Sequence, residues 1–420
     1  MGIERERRQI ISWSMYDWAN SAYSTTVMAG FFPIFFKQYW SAGADVTENT
    51  FHLGLANSLA SVLIAALAPL LGAIADRAGA RKKFLLIFGL LGVVMTGCLY
   101  FVQRGDWVAA TTLYVLASVG FWGGNIFYDA LLVNVAGPHQ RDRVSSLGYA
   151  LGYLGGGLLF AVNVWMTLQP QSFGLADAAE AVRLSFVCVA LWWAVFAIPL
   201  LIFVKEPAGD TQRLGLAAIG QGLRQFMQTF REIRQLRMVW LFLAGYWLYI
   251  DGVDTIVVMA VDYGMALGFD SNSLIVALLI TQFVGFPAAL VFGRLGERVG
   301  SKNGILLAIG VYVGVTLWAY QISNINEFYA IAFTLGLVQG GIQALSRALY
   351  SRLIPQDKSA EFFGFYNMLG KFAAVLGPVL MGSVGVLSGS PRVAILSLIA
   401  LFVAGAAVLW LVHEHPATPS

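Results

Sequence analysis

The sequence predicts an all-α membrane protein, twelve transmembrane helices arranged as two pseudo-symmetric six-helix bundles. Three observations carry that prediction. The first is composition: 58% of the residues are hydrophobic and 12% are charged, with mean hydropathy +0.71, against about 45–50% and about 25% for a soluble domain. The second is spacing: about twelve apolar runs approach or exceed the ~20 residues that cross the hydrocarbon, six on each side of a basic break. The third is an internal copy. The polar stretch Gly72 to Lys83 reads Gly-Ala-Ile-Ala-Asp-Arg-Ala-Gly-Ala-Arg-Lys-Lys, and Gly293, Glu297, Arg298, Gly300 and Lys302 fall in register with its Gly72, Asp76, Arg77, Gly79 and Arg81.

The first span follows Arg5, Arg7 and Arg8 and is too long for a signal peptide, so it reads as uncleaved. It carries Asp17, Asn20, Ser21 and Ser24 at i, i+3, i+4 and i+7, one continuous polar stripe on a helix. That stripe faces a water-filled path or another polar helix; the alternative is that Asp17 snorkels to the near interface.

The second and third spans flank the polar stretch, where Gly79 permits the sharp turn by adopting positive φ. Asp76 gains nothing from an anionic membrane surface, so it needs a partner: Arg77, Arg81 or the positive end of a neighbouring helix. The fourth span ends in Asn125 and Asp129. The fifth has Gly148, Gly152 and Gly156, a ladder that lets helices approach closely. Its Gly155-Gly156-Gly157 is no phosphate loop, since no strand precedes it and no Gly-Lys-Ser/Thr follows.

The break at 205–236 alternates apolar and basic residues (Leu216, Ile219, Leu223, Phe226, Phe230 and Ile233 among Arg213, Arg224, Arg231 and Arg234), as an amphipathic surface helix would. It divides the chain into bundles at 1–204 and 237–420.

In the second bundle, the seventh span places Trp247, Asp251 and Asp254 on one face near mid-depth. Two carboxylates one turn apart in low dielectric do not both ionise cheaply unless a cation is close. The eleventh span supplies Lys371, too deep to snorkel, which is expected to pair with Asp251 or Asp254, either as a transport element or as a purely structural ion pair. The tenth span carries Gln339, Gln343 and Arg347 at i, i+4 and i+8. Asp129-Ala130-Leu131 matches Arg347-Ala348-Leu349 at nearly the repeat offset, so Asp129 and Arg347 suggest a gate between halves; ordinary span-end charges are the alternative reading.

One set of loops carries Arg77, Arg81, Lys82, Lys83, Arg141, Arg143, Arg294, Arg298, Lys302, Arg352 and Lys358, while the other carries Lys37, Arg104, Arg183 and Arg392. This bias places both termini in the cytoplasm of a plasma-membrane protein. A net charge of +3 spread over short loops implies no nucleic-acid partner. Cys98 and Cys188 lie in apolar runs and imply no disulfide framework. His413, Glu414 and His415 form a tail with no further ligands near in sequence, so no metal and no cofactor are expected.

Two six-helix halves, a basic central loop and the Gly-x-x-x-Asp-Arg-x-Gly-x-Arg turn resemble the major facilitator superfamily over essentially the whole chain. The family usually has Leu where Ile74 stands and a basic residue where Ala80 stands. The resemblance implies that Asp76 braces the second span against the eleventh and favours the outward-open state. Within the superfamily, Tyr16-Asp17-Trp18-Ala19-Asn20-Ser21-Ala22-Tyr23 and the run from Gly340 to Arg347 resemble the unknown major facilitator branch, related to autophagy-linked vacuolar effluxers. That likeness implies amino-acid efflux for the eukaryotic relatives, whose long insertions this chain lacks.

The expectation is therefore a monomeric secondary transporter of a small polar or zwitterionic solute, proton-coupled, with membrane lipids around it. The expected pathway comprises Asp17, Asn20, Ser24, Asn125, Trp247, Asp251, Asp254, Gln339, Gln343 and Lys371. The expected gates are Gly72, Asp76, Arg77, Gly79, Arg81, Asp129, Glu297, Arg298 and Arg347. A multidrug or lipid exporter of the same fold, or a non-transporting receptor or scaffold, are the alternatives; an enzyme is not expected, because the four histidines lie at loops or ends.

Overall fold

The computed structural model describes residues 2–41, 46–206, 228–229, 231 and 235–413. These form helices throughout, and ten of the helices are long and apolar enough to cross a membrane by length and composition. The two rods outside that set are the first, which carries Asp17 and Asn20, and Arg237–Ala266, which carries Asp251 and Asp254.

Helix α1 runs as an α-helix over Gly2–Ala22, widens to a π-helix over Tyr23–Phe31, returns to α over Phe32–Phe35 and ends as π over Phe36–Trp40. The first bundle continues with α2 (Val46–Ala78), α3 (Arg81–Cys98), α4 (Trp107–Val135), α5 (Arg141–Leu168) and α6 (Ala178–Phe203). The second comprises α7 (Arg237–Ala266), α8 (Ser271–Val299), α9 (Ser301–Gln321), α10 (Ile325–Leu353), α11 (Ser359–Ser388) and α12, broken at Ser397 into Pro391–Leu396 and Leu398–Trp410. Several starts are set by side chains: Asp106, Asp177, Asp270 and Asn324 each accept from the backbone N–H three residues on, satisfying a donor that the helix itself leaves open. Most of the expected surface helix within 205–236 lies outside the described residues, as do Glu414 and His415.

Gly2 and the end of α12 lie on the same face, here called the terminal face; the opposite one is the far face. Two pairs of helices join the bundles, α2 with α11 and α5 with α8. Glycine sets both approaches. A Cβ on Gly72 would run into the Ala360 carbonyl, and one on Gly364 would meet the backbone of Ala68 and Pro69. In the copy, Gly293 lies against Ser146 and Gly296 against Asp142. The register between the two polar stretches is thus a register of close backbone approach.

The far half of the first bundle is filled with stacked rings: Phe32 on Tyr114 at 4.0 Å, Phe35 edge-on to Trp40 at 4.8 Å, and Trp40 on Phe186 at 5.8 Å between centroids. The second bundle is lined at the same depth mostly by aliphatic residues and alanine, with Tyr263 and Phe328 among them.

Candidate functional site

The terminal face is closed by three clusters that cross from one bundle to the other. At the turn between α2 and α3, Gly79 takes φ +57°. The Asp76 carboxylate accepts from Arg81 Nε at 2.7 Å and from the first backbone N–H groups of α11, Ala360 at 3.0 Å and Glu361 at 2.8 Å. A carboxylate at a helix N-terminus meets both unpaired donors and the positive end of the dipole. Arg81 goes on to Asn134 Oδ1 at 2.7 Å and to the Asp357 carbonyl at 3.2 Å. Arg77 points outward and is exposed.

The second cluster is buried deeper. Arg347 from α10 donates to Asp129 Oδ1 at 3.0 Å and lies 3.3 Å from Asp17 Oδ2, both in the first bundle. Its Nε donates to Ser145 Oγ and its Nη2 to the Ser145 carbonyl, each at 2.9 Å. The guanidinium is 2% exposed and lies against the rings of Trp13, Tyr128 and Tyr149, the last at 4.3 Å. Each carboxylate has a further donor: Tyr128 OH reaches Asp17 Oδ2 at 2.7 Å, and Asn367 reaches Asp129 Oδ2 at 3.3 Å. A planar five-donor cation satisfies this many acceptors in one plane, which an ammonium could not do.

The third cluster joins the start of α5 to the start of α9 and the end of α10. Asp142 accepts from Arg352 at 3.1 and 3.3 Å and from Ser301 Oγ at 2.5 Å, while Arg141 donates to the Ser351 carbonyl at 2.6 Å. Here the structure corrects the sequence reading. Glu297 and Arg298, expected as gating residues by register with Asp76 and Arg77, are exposed and stand outside the closure. Asp142, on the facing helix, holds the position across the interface.

Above the clusters, the Tyr153 ring from α5 wedges against Gly285 of α8 and Gly340 of α10. At mid-depth Gln282 donates to Thr25 in the π-helical part of α1 at 2.5 Å. The three clusters lie between this level and the terminal face.

The polar residues of the interior separate into two groups. Asn20 donates to Asn125 Oδ1 at 2.6 Å, so the stripe of α1 meets that of α4. Ser24 turns back to the Ser21 carbonyl at 3.0 Å. Lys371 lies over the face of Trp122, 2.7 Å from its centroid, and is the charge that acts on Asp254. No direct ion pair forms between them. Lys371 therefore spans from the second bundle to an aromatic of the first, with a carboxylate nearby. Trp247 and Gln343 are half-buried, and the Trp247 indole N–H has no hydrogen bond among the described residues.

Asp251 belongs to neither face of that space. It is fully buried, and both its oxygens accept from the backbone N–H of Gly377, at 3.0 and 2.9 Å, with Thr255 Oγ at 3.5 Å. Pro378 follows, and a proline within a helix disturbs the backbone ladder around it. The expected pairing of Lys371 with Asp251 or Asp254 is not made as a direct ion pair, and the Asp251 carboxylate is taken up by the Gly377 N–H of α11. Gln339 lies in the wall of an apolar cavity inside the second bundle.

The sequence matches the family described as vacuole effluxer Atg22-like over residues 5–139 and 135–419. The chain belongs to this family. A relative in Bacillus subtilis (strain 168), an uncharacterized MFS-type transporter called YxiO, is 38% identical over 428 residues, covering 99% of this chain and 97% of its own length. Autophagy-related protein 22 of Yarrowia lipolytica (strain CLIB 122 / E 150) is 25% identical over 394 residues, 73% of this chain and 66% of its own. Among solved structures, the human organic anion transporter MFSD10 (TETRAN) superposes with TM-score 0.72 at 17% identity, covering 96% of this chain and 99% of its own. The Atg22-like chain is thus a multi-pass membrane transporter of the major facilitator superfamily and not an enzyme.

Several residues of the closure escaped the sequence reading. Asp142 sits in Gln-Arg-Asp-Arg, which reads as a solvated loop run. Ser145, Tyr128, Tyr149 and Asn367 carry no cost signal of their own, since hydroxyls, rings and amides are tolerated at bilayer depth. Arg352 was visible as a loop charge, five residues beyond Arg347.

Proposed function

We propose that this chain moves a small zwitterionic solute of the amino-acid kind across the cell membrane by alternating access, coupled to protons, with both termini in the cytoplasm. The observation that carries the reading is the centre. Lys371 and Asp254 offer opposite charges that are near one another without being joined, with Trp122 under Lys371 and Trp247 two turns from Asp254 along α7. A solute bearing a carboxylate and an ammonium would satisfy both, at the depth where transporters of two repeated halves hold their cargo. Both charges belong to one chain, so a monomer suffices.

The basic loop residues of the terminal face support placing it in the cytoplasm. With that orientation, the closure by Asp76, Arg347 and Asp142 corresponds to an outward-facing state. Bundles 1–204 and 237–420 would rock about the centre, with 205–236 as connector, and each cycle would break the three clusters.

The proton is assigned to the Arg347 cluster. It holds two carboxylates, Asp17 and Asp129, against one guanidinium, with Tyr128, Tyr149, Ser145 and Asn367 as the other polar neighbours. The cluster carries one excess negative charge, and taking up a proton would remove it as the bundles separate.

The test is counterflow in proteoliposomes with a panel of labelled amino acids, lipophilic cations and lysolipids, at two external pH values. Uptake of an amino acid that is lost in Lys371→Met and in Asp254→Asn supports the reading. Counterflow confined to lipophilic cations or lipids would replace it by a multidrug or lipid exporter.

A further inference from the structure

The second bundle contains a cavity that lies apart from the space between the halves. All six of its helices contribute to the wall, including the outer pair α9 and α12. The void measures about 80 Å³. An ordered water needs only about 10–15 Å³ and two to four polar partners, so the room is ample for several. The partners are wanting. Tyr263 OH is committed to the Ala319 carbonyl at 2.6 Å, Thr281 to the Ala277 and Ala332 carbonyls at 3.1 Å each, and Thr316 to the Tyr312 carbonyl at 2.8 Å. Gln339 is the wall's remaining polar side chain, and its amide has no hydrogen bond among the described residues.

The corresponding depth of the first bundle is filled by aromatic rings. In the second, Ala260, Ala277, Ala319 and Ala332 stand in the wall, and the space those rings occupy is open. Met259 and Met381 line it too, with thioethers that adapt to and attract ring edges. Phe328 and Tyr263 add ring faces. A stable void is costly in proportion to its volume, and a dry apolar void binds hydrocarbon rings.

We propose that this cavity is a binding site for a small, neutral aromatic molecule with a single hydrogen-bonding group, of the size of phenol or indole, whose polar group meets Gln339. The site is separate from the space at Lys371 and Asp254, and a zwitterion would be excluded from it for want of paired charges.

The experiment is calorimetric and thermal-shift titration of the purified full chain with toluene, phenol and indole. The wild-type protein is expected to bind all three, phenol and indole more tightly than toluene. Ala277→Phe and Ala332→Leu each fill the void and are expected to weaken all three at least tenfold, while Gln339→Leu keeps toluene binding and removes the preference for phenol. Equal binding to wild type and to a folded filled variant would overturn the proposal, as would no binding at millimolar probe. Should both filled variants fail to fold, xenon-pressurised crystals decide. Density between Ala277, Ala332 and Met381 supports the site, and its absence at full pressure contradicts it.

Discussion

Replacing Arg347 by Met removes the cation that faces both Asp17 and Asp129 while keeping an unbranched apolar stem against Trp13 and Tyr128. Breaking a buried ion pair from one side costs about 3–5 kcal/mol, because the remaining charge is left uncompensated. Here Tyr128 still donates to Asp17 and Asn367 to Asp129, which puts the cost at the lower end, about 3 kcal/mol. The cluster exists where the terminal face is closed, so that energy appears as a shift of the closed-to-open equilibrium of roughly 150-fold. Spin labels on Lys83 and Glu297, both exposed and on opposite bundles, would report it by pulsed electron resonance. The expected result is a longer, broader distance distribution in Arg347→Met, with recovery toward wild type in the exchanged pair Asp129→Arg with Arg347→Asp. Unchanged distances in Arg347→Met, with the protein folded, would refute the assignment of this cluster as the lock.

Other perturbations separate roles that lie close together. Lys371→Met and Asp254→Asn are expected to abolish solute-induced thermal stabilisation while leaving the unliganded melting temperature within a few degrees of wild type. Asp251→Ala should do the reverse, lowering stability by about 1–3 kcal/mol through the orphaned Gly377 N–H with solute affinity kept; loss of solute binding at native stability would restore Asp251 to the pathway. Gly72→Val forces a side chain into the Ala360 backbone and should cost about 1–3 kcal/mol, read as increased cysteine labelling at the terminal face. Asp142→Asn should open that face in the same assay and Glu297→Gln should not, and the opposite order would make Glu297, and not Asp142, the clamp.

Much of the fold was legible because lipid penalises polarity so heavily. Run length and basic loops together specify the helices, and Asp76 called for a partner among Arg77, Arg81 and a helix N-terminus, of which it meets both Arg81 and the start of α11. What register could not convey was which residue at a helix end faces the other bundle. Gly293 and Gly296 keep the close approach that Gly72 makes in the first half, but the copy's carboxylate turns away and Asp142 on the facing helix takes over the contact. Periodicity failed more subtly at Asp251 and Asp254. Three residues along a helix differ by about 60° in direction, enough for one carboxylate to meet the Gly377 N–H while the other lies near Lys371. The aromatic box around Arg347 was invisible because tryptophan and tyrosine at these depths look like ordinary lipid-compatible residues until their partners are placed.

The most direct test of a terminal face that must part for transport is a reversible cross-link across it. With Cys98 and Cys188 replaced by Ala, cysteines at Asp142 and Ser301, whose side chains touch, would be joined by a short thiol-specific linker in proteoliposomes. Counterflow should fall to the protein-free background on cross-linking and return on reduction, with each single-cysteine protein unaffected by the reagent. Counterflow at the uncross-linked rate in fully joined protein would contradict alternating access between these two bundles.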